Sequence, residues 1–233
     1  MVQHAGVRTA VIGGLAVSCR LAVAHRATGD VDIVTDAPSV VAAGTAAENL
    51  VAAGVAEREV GVEVVRLFVQ GTKVEIIETT PYDPADVADV EPDAARLFVL
   101  SHRWALETAS PLRIGVVGRV IEIEVPVATS PALVAMKLHA VQDRNDDRKR
   151  ASDAWDLFRL IDLTSGEREF FDQIADAPPG LVELVGDVVE RIFRHDVTRT
   201  RRWIQVYGEA EWAALATEDA LIEAADAFAA ALP

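Results

Sequence analysis

Short runs of alternating apolar and polar residues dominate the first half of the chain, and apolar residues at helical spacing dominate the second. Arg8 to Ile12 reads as a strand that runs into Gly13-Gly14, and Leu15 to Ala24 reads as a helix. Val31 and Ile33 then alternate with Asp30 and Asp32, the period of a half-buried strand from Asp30 to Val34. Asp36-Ala37-Pro38 opens a second helix, Ser39 to Ala53, with Gly54 as its C-terminal stop. Val64 to Val69 and Lys73 to Ile77 form a hairpin about Gln70-Gly71-Thr72, and Pro81 to Pro92 is a loop rich in Asp and Pro. Two more strands are predicted at Ile114 to Val117 and Val120 to Val125, with Gly118 in the turn.

The pattern changes at Pro126, after which no strand is predicted. Ser130-Pro131 is an N-cap and first-turn pair opening a helix through Arg144. Further helices are predicted over Lys149 to Leu163, Gly180 to Phe193 and Glu211 to Leu232, with Pro178-Pro179 as a break. The expected class is α+β: a small mixed sheet with flanking helices over residues 1–125, then a helical domain over 126–233.

Composition narrows what such a chain does. With 233 residues, 51 % of them apolar, there is ample material for a core, and global disorder is excluded. The net charge of −15 opposes indiscriminate binding to polyanions, so any nucleic-acid contact needs a local basic patch. Cys19 is the single cysteine, which rules out a disulfide within the chain and fits a reducing compartment. Leu15 to Cys19 loosely resembles a lipoprotein cleavage site, but Gly13-Gly14 breaks the apolar run, which then feeds directly into a strand. No stretch reaches the roughly 18 uninterrupted apolar residues of a membrane span. A cytoplasmic protein without membrane contact is expected.

The candidate chemistry sits on the second strand. Residues two apart in a strand share a face at roughly 6.5 Å, so Asp30 and Asp32 present paired carboxylates while Val31 packs behind them. Two fixed carboxylates raise each other's pKa unless a cation sits between them. Magnesium is the natural one, because it takes hard oxygen ligands and completes its shell with substrate phosphates. A solvated strand face is the plain alternative. Gly13-Gly14, between a strand and a helix, offers bare amides and a helix N-terminus to a triphosphate, or else is only a tight turn. Glu75, flanked by Val74 and Ile76, is the favoured third carboxylate, with Glu78 as the alternative.

Gly13-Gly14-Leu15-Ala16 followed by His25-Arg26-Ala27-Thr28-Gly29-Asp30-Val31-Asp32 resembles the Gly-Gly…Arg-x-Thr-x-Asp-[Ile/Val]-Asp signature of the AbiEii-type (MenT-like) nucleotidyltransferase toxins, members of the polymerase-β-like superfamily. The resemblance implies the nucleotidyltransferase fold. It implies Asp30 and Asp32 as Mg2+ ligands, which Glu75 joins as the third carboxylate, and the Gly13-Gly14 turn at the nucleotide phosphates, with Arg26 and Thr28 as further nucleotide-binding candidates. Arg26 pairing with Asp30 or Asp36 to steady the turn is an equal alternative.

A second stretch extends the likeness. Met136-Lys137-Leu138-His139-Ala140 through Arg144, Arg148, Lys149, Asp153 and Asp156-Leu157 resembles the family's Lys-Leu-x-Ala-x-x-x-Arg and Asp-x-x-Asp-Leu pattern. Lys137 and Arg144 lie two turns apart on one helix face, and Asp153 and Asp156 share another. Lys137, set among Leu133, Val134, Met136 and Leu138, becomes the candidate phosphate ligand. Arg144 and Lys149 extend the cationic wall, and Asp153 orients them or assists the acceptor hydroxyl. A salt-bridged helix pair is the bland reading, and His139 reads as a packed histidine rather than a catalyst.

A further basic cluster, Arg191, Arg194, His195, Arg199, Arg201 and Arg202 with Trp203 and Tyr207, suits a single-stranded RNA end equally as well as a patch docked on the acidic remainder. The resemblance spans residues 10–165. It implies transfer of NMP from an NTP to an acceptor hydroxyl, the 3′ end of tRNA, by the toxin of a toxin-antitoxin pair with a cognate antitoxin partner. The rivals are an antibiotic-type small-molecule nucleotidyltransferase and a catalytically silent binding protein. Glu75 stands where the family more commonly has Asp. The family also carries a helix ahead of the first strand, so the natural start is expected upstream.

Overall fold

The computed structural model describes residues 5–21, 25–26, 28–37, 45–60, 65–82, 87, 90–115 and 122–232. The chain divides into a sheet unit, Met1–Pro81 with His102–Thr129, and a helical unit, Tyr82–Ser101 with Ser130–Pro233. A mixed sheet with helices, and a helical C-terminal region, is the α+β arrangement that the sequence predicts.

In the sheet unit, strand β1 (Thr9–Ile12) enters helix α1 (Gly13–Leu21) with no intervening loop. Strand β2 (Asp30–Asp36) returns antiparallel to β1. Helix α2 (Ala46–Ala52) begins at a capping box, in which the Thr45 side chain accepts from the Glu48 amide and Glu48 accepts in return from the Thr45 amide. Gly54, at φ +67, stops it in the left-handed conformation. The predicted start of this helix at residues 39–44 lies outside the described residues, as do residues 22–24 of the first helix.

Strands β3 (Glu57–Arg58), β4 (Val65–Val69) and β5 (Thr72–Thr79) follow. Gln70 and Gly71, at φ 49 and 80, make the two-residue turn between β4 and β5, with Val69 opposite Thr72. Helix α3 (Asp93–Thr108) is not predicted by the sequence pattern. It leads to β6 (Ser110–Gly115) and β7 (Glu122–Val127), which pair antiparallel; Gly118 and its turn lie outside the described residues. The seven strands run in the order β3-β4-β5-β2-β1-β7-β6.

The pairing that matters most is β2 with β5, parallel and in continuous register from Asp30 opposite Lys73 to Asp36 opposite Thr79. Ile33 and Val34 on β2, and Val74 and Ile76 on β5, are buried and anchor that pair. Ile33, Val74 and Ile76 share the face opposite Asp30 and Asp32, and their burial fixes the register, since a slip by one residue would turn that apolar set outward.

The helical unit is built on α4 (Ser130–Asp143) and α5 (Asp147–Thr164), which pack together. Every residue from Pro131 to Leu138 is buried, so α4 is covered on all sides. Asp146 caps α5 by accepting from the Arg148 and Lys149 amides. Two further helices, α6 (Arg168–Ala175) and α8 (Val197–Tyr207), are additions to the predicted set, whereas α7 (Leu181–Glu190) continues into a π-helical turn at Arg191–His195. The single predicted helix from Glu211 to Leu232 is two, α9 (Ala210–Leu215) and α10 (Glu218–Ala231). Thr217 separates them: its side chain accepts from the Ala220 amide, and this local N-cap competes with helix continuation.

Candidate active site

Ile12 pairs with Asp32 across the β1–β2 ladder, and the glycine bend begins one residue later. Gly13 has φ +70, a conformation that L side chains rarely adopt. Space excludes a side chain as well. A Cβ on Gly13 would lie 2.0 Å from Asp32 Oδ2, and one on Gly14 would lie 2.5 Å from Arg26 Nη2. The bend is thus wedged between a carboxylate and a guanidinium. These glycines also open α1, which carries no acidic residue in its first turn. The positive end of the helix therefore lies beside the Asp32 carboxylate rather than being neutralised by a capping acid of its own.

Strand alternation puts Asp30 and Asp32 on one face of β2, and the β2–β5 register puts Glu75 directly opposite Asp32 on that face. Glu78 lies opposite Thr35 and shares its parity with the buried Val74 and Ile76, so it points to the other face. The structure therefore brings Asp30, Asp32 and Glu75 together on adjacent strands and leaves Glu78 apart from them.

Cations from the neighbouring hairpin hold this acidic face. Lys73 Nζ lies 2.9 Å from Asp30 Oδ2 and 3.3 Å from Glu75 Oε1, bridging the two. Arg66, opposite Glu75 on β4, donates to Glu75 Oε1 from Nε and Nη2 at 3.0 and 2.8 Å and to Glu59 from Nη1 at 2.8 Å. Thr28 donates to Asp30 Oδ1 at 3.1 Å, which fixes the carboxylate's orientation. Partial burial pushes the Asp30 carboxyl upward, but the Lys73 ammonium and the Thr28 hydroxyl outweigh it, and the group ends below its ordinary value. Glu75 behaves alike: burial raises it, and Arg66 and Lys73 bring it lower overall. Lys73 is held above its ordinary value, first by its hydrogen bond to Asp30.

Sequence reasoning alone does not single out Lys73 or Arg66, although a signal exists. A two-residue turn at Gln70-Gly71 sets Val69 opposite Thr72 and hence Arg66 opposite Glu75. Asp36, the other acid of β2, is engaged by Arg103 Nη1 at 2.7 Å and by Arg8 at 3.4 Å.

In the helical unit, Lys137 is 6 % exposed, and its Nζ lies 2.6 Å from Asp153 Oδ1 and 2.7 Å from Asp156 Oδ2. Asp156 is 0 % exposed. Arg144 Nε reaches Asp153 Oδ2 at 3.2 Å, so Asp153 is shared by two cations. Asp153 and Asp156, one turn apart on α5, clamp an ammonium that α4 delivers through an otherwise apolar surface. In contact with both cations, Asp153 is placed to orient Lys137 and Arg144. His139 packs its ring on Phe98 at 5.1 Å, and burial holds its pKa below the ordinary imidazole value.

Among the described residues, no three His, Cys, Asp or Glu side chains already surround a common point. What the sheet unit does offer is hard oxygen donors on one face, with an ammonium lodged between Asp30 and Glu75. Carboxylate oxygens that gather a cation match the donor chemistry of magnesium, and in type and charge these residues fit such an ion.

Residues 3–218 match the family model described as nucleotidyl transferase AbiEii toxin, Type IV TA system, and the chain belongs to this family. Among solved structures it is similar to an antigenic nucleotidyltransferase-like protein from Paracoccidioides brasiliensis, with 18 % identity and a TM-score of 0.46, over 90 % of this chain and 89 % of that one. No curated protein matches the chain. No helix among the described residues is long and apolar enough to cross a membrane.

Proposed function

We propose that the chain transfers a nucleoside monophosphate from an NTP to an acceptor hydroxyl, the 3′ end of a tRNA, and releases pyrophosphate. Family membership supports the transferase class, and the observation that carries the reading to particular residues is the contact of Gly13 with Asp32. A side-chain-free bend and helix N-terminus beside a carboxylate is what a metal-bound triphosphate requires: amides for its oxygens, and an acid for its counter-ion.

Asp30, Asp32 and Glu75 would hold Mg2+, which when bound would supply neutralisation of phosphate charge. The chain's own groups do the positioning. Gly13 and Gly14 offer their amides to the phosphates, Arg26 adds a guanidinium against the bend, and Thr28 holds the Asp30 carboxylate in place. Lys73 neutralises Asp30 and Glu75 before substrate arrives. Lys137 and Arg144 are assigned to nucleotide phosphates, with Asp153 as the residue that orients both. As the toxin of a type IV system it is countered by a cognate antitoxin.

Incubating the protein with each α-labelled NTP, Mg2+ and either total tRNA or an aminoglycoside tests the assignment. Label should enter tRNA and be recovered on its 3′-terminal nucleotide. Label on the drug and none on RNA would replace the tRNA acceptor with a small molecule.

A further inference from the structure

A pocket in the helical unit borders the Lys137 cluster, since Arg150 donates to the Arg144 carbonyl, but has no role in the chemistry above. It is a cavity of about 390 Å3 lined by Arg150 of α5, Arg191 of the π-helical turn, and Arg199 and Trp203 of α8. That volume falls within the usual range for small-ligand sites. Two guanidinium groups lie over Trp203, with Arg150 Cζ 4.8 Å and Arg199 Cζ 5.1 Å from the ring centroid. The ring's negative face steadies two like charges that would otherwise spread apart.

The backbone is shaped to present the third arginine. The Asp196 amide donates to the Arg191 carbonyl at 2.8 Å, the i to i+5 bond of a π turn. The Ile192 carbonyl accepts instead from the buried Thr200 hydroxyl at 2.8 Å. Ile192 and Phe193 stay in the core while Arg191 reaches the pocket, where it donates to the neutral side-chain oxygen of Gln142. Arg150 and Arg199 each have one carboxylate partner among the described residues, Asp147 and Asp196 respectively. Three guanidinium groups against two acids is a local excess of positive charge, in a chain whose net charge is −15.

Planar guanidinium forks match phosphate oxygens in pairs. We infer that this pocket is a phosphate-binding site through which the helical unit grips the backbone of a single-stranded RNA acceptor. The choice of RNA as the source of the phosphate rests on the acceptor proposed above; the phosphate chemistry rests on the pocket alone.

The test is fluorescence polarisation of a short labelled single-stranded RNA on the full chain, without NTP or Mg2+, over a salt series, with inorganic phosphate and ATP as competitors. Arg191→Gln/Arg199→Gln should weaken RNA binding at least about tenfold and lower the log–log salt slope by about 0.7 for each phosphate that is no longer neutralised. Arg191→Lys should lose less, because the charge remains. Arg168→Gln, an equal charge change on α6, should bind as the parent does. Circular dichroism confirms that each variant is folded. Parental affinity and slope in the double variant would overturn the site. Displacement of a nucleotide from the pocket without any RNA binding would overturn the RNA source. The readout needs no catalysis, so an inactive transferase leaves it standing. Transfer to tRNA at an unchanged KM in the double variant would remove the pocket and leave the transferase.

Discussion

Gly13→Ala is the sharpest perturbation of the bend. Two penalties act at once, because Gly13 is at φ +70 and the added methyl would lie 2.0 Å from Asp32 Oδ2. The left-handed backbone alone costs an L residue about 1–2 kcal/mol. Carbon and oxygen do not approach within 3.0 Å, so the carboxylate or the bend must shift by about an ångström or more. Asp32 is half-exposed, so its side chain can yield to the methyl, and the backbone penalty sets the lower bound of the stability loss. That penalty corresponds to about 2–8 °C in melting temperature for a chain of this size. Activity should suffer far more, since about 1 Å of misplacement at a reacting centre costs on the order of a hundredfold. The assay pairs a thermal melt with initial rates of label transfer from NTP. A folded variant that transfers at the parental rate would refute the claim that the bend and Asp32 form one binding site.

Three further outcomes follow from the charge arrangement. Lys137→Ala leaves Asp153 and the fully buried Asp156 short of a cation, and should cost about 3–5 kcal/mol in urea unfolding. A loss below about 1 kcal/mol would mean that the clamp is not maintained. Lys73→Met removes the ammonium that competes for Asp30 and Glu75, so calorimetry should show Mg2+ binding tighter by at least about fivefold, the effect of about 1 kcal/mol per unit charge at contact even in water. Unchanged or weaker affinity would separate these carboxylates from the metal. The pH dependence has a definite sign: Asp30 and Glu75 sit below their ordinary values of 3.8 and 4.5, so the folded state binds fewer protons there than the unfolded state. Their stabilisation is fully present above those values and is lost as pH falls through the lower folded ones. The urea midpoint should drop on acidification below about pH 4.5, less steeply in Lys73→Met than in the parent.

The acidic strand was legible because its signal is local. Alternation alone sets Asp30 and Asp32 on one face, and the flanking Val74 and Ile76 separate Glu75 from Glu78. Lys137 stood out as a lone cation in an apolar helix, and Asp153 and Asp156 stood out by their spacing. What the sequence hid depends on distant partners. Helix α3 buries Leu97, Leu100 and Trp104 at helical spacing, but Ser101, His102 and Arg103 interrupt the pattern with polar residues that are also buried. Arg103 is tolerated there because Asp36 of β2 and Glu107 accept from it, which no local window reveals. The brevity of α6 and the charge of α8 masked their apolar stripes, and a single cap at Thr217 divided a continuous alanine-rich run. The cation bridge over Asp30 and Glu75 required the hairpin register and the parallel β2–β5 pairing together.

The most direct measurement compares the parent with Asp32→Asn, an isosteric change that removes one charge and leaves the bend's packing intact. Each is incubated with labelled NTP, Mg2+ and tRNA, and pyrophosphate release is followed alongside label on the RNA. Both products should form together with the parent, and both should fall at least about a hundredfold in a variant that melts within a few degrees of it. Equal rates in the two proteins would contradict the assignment of the Asp-x-Asp strand as the centre of the reaction.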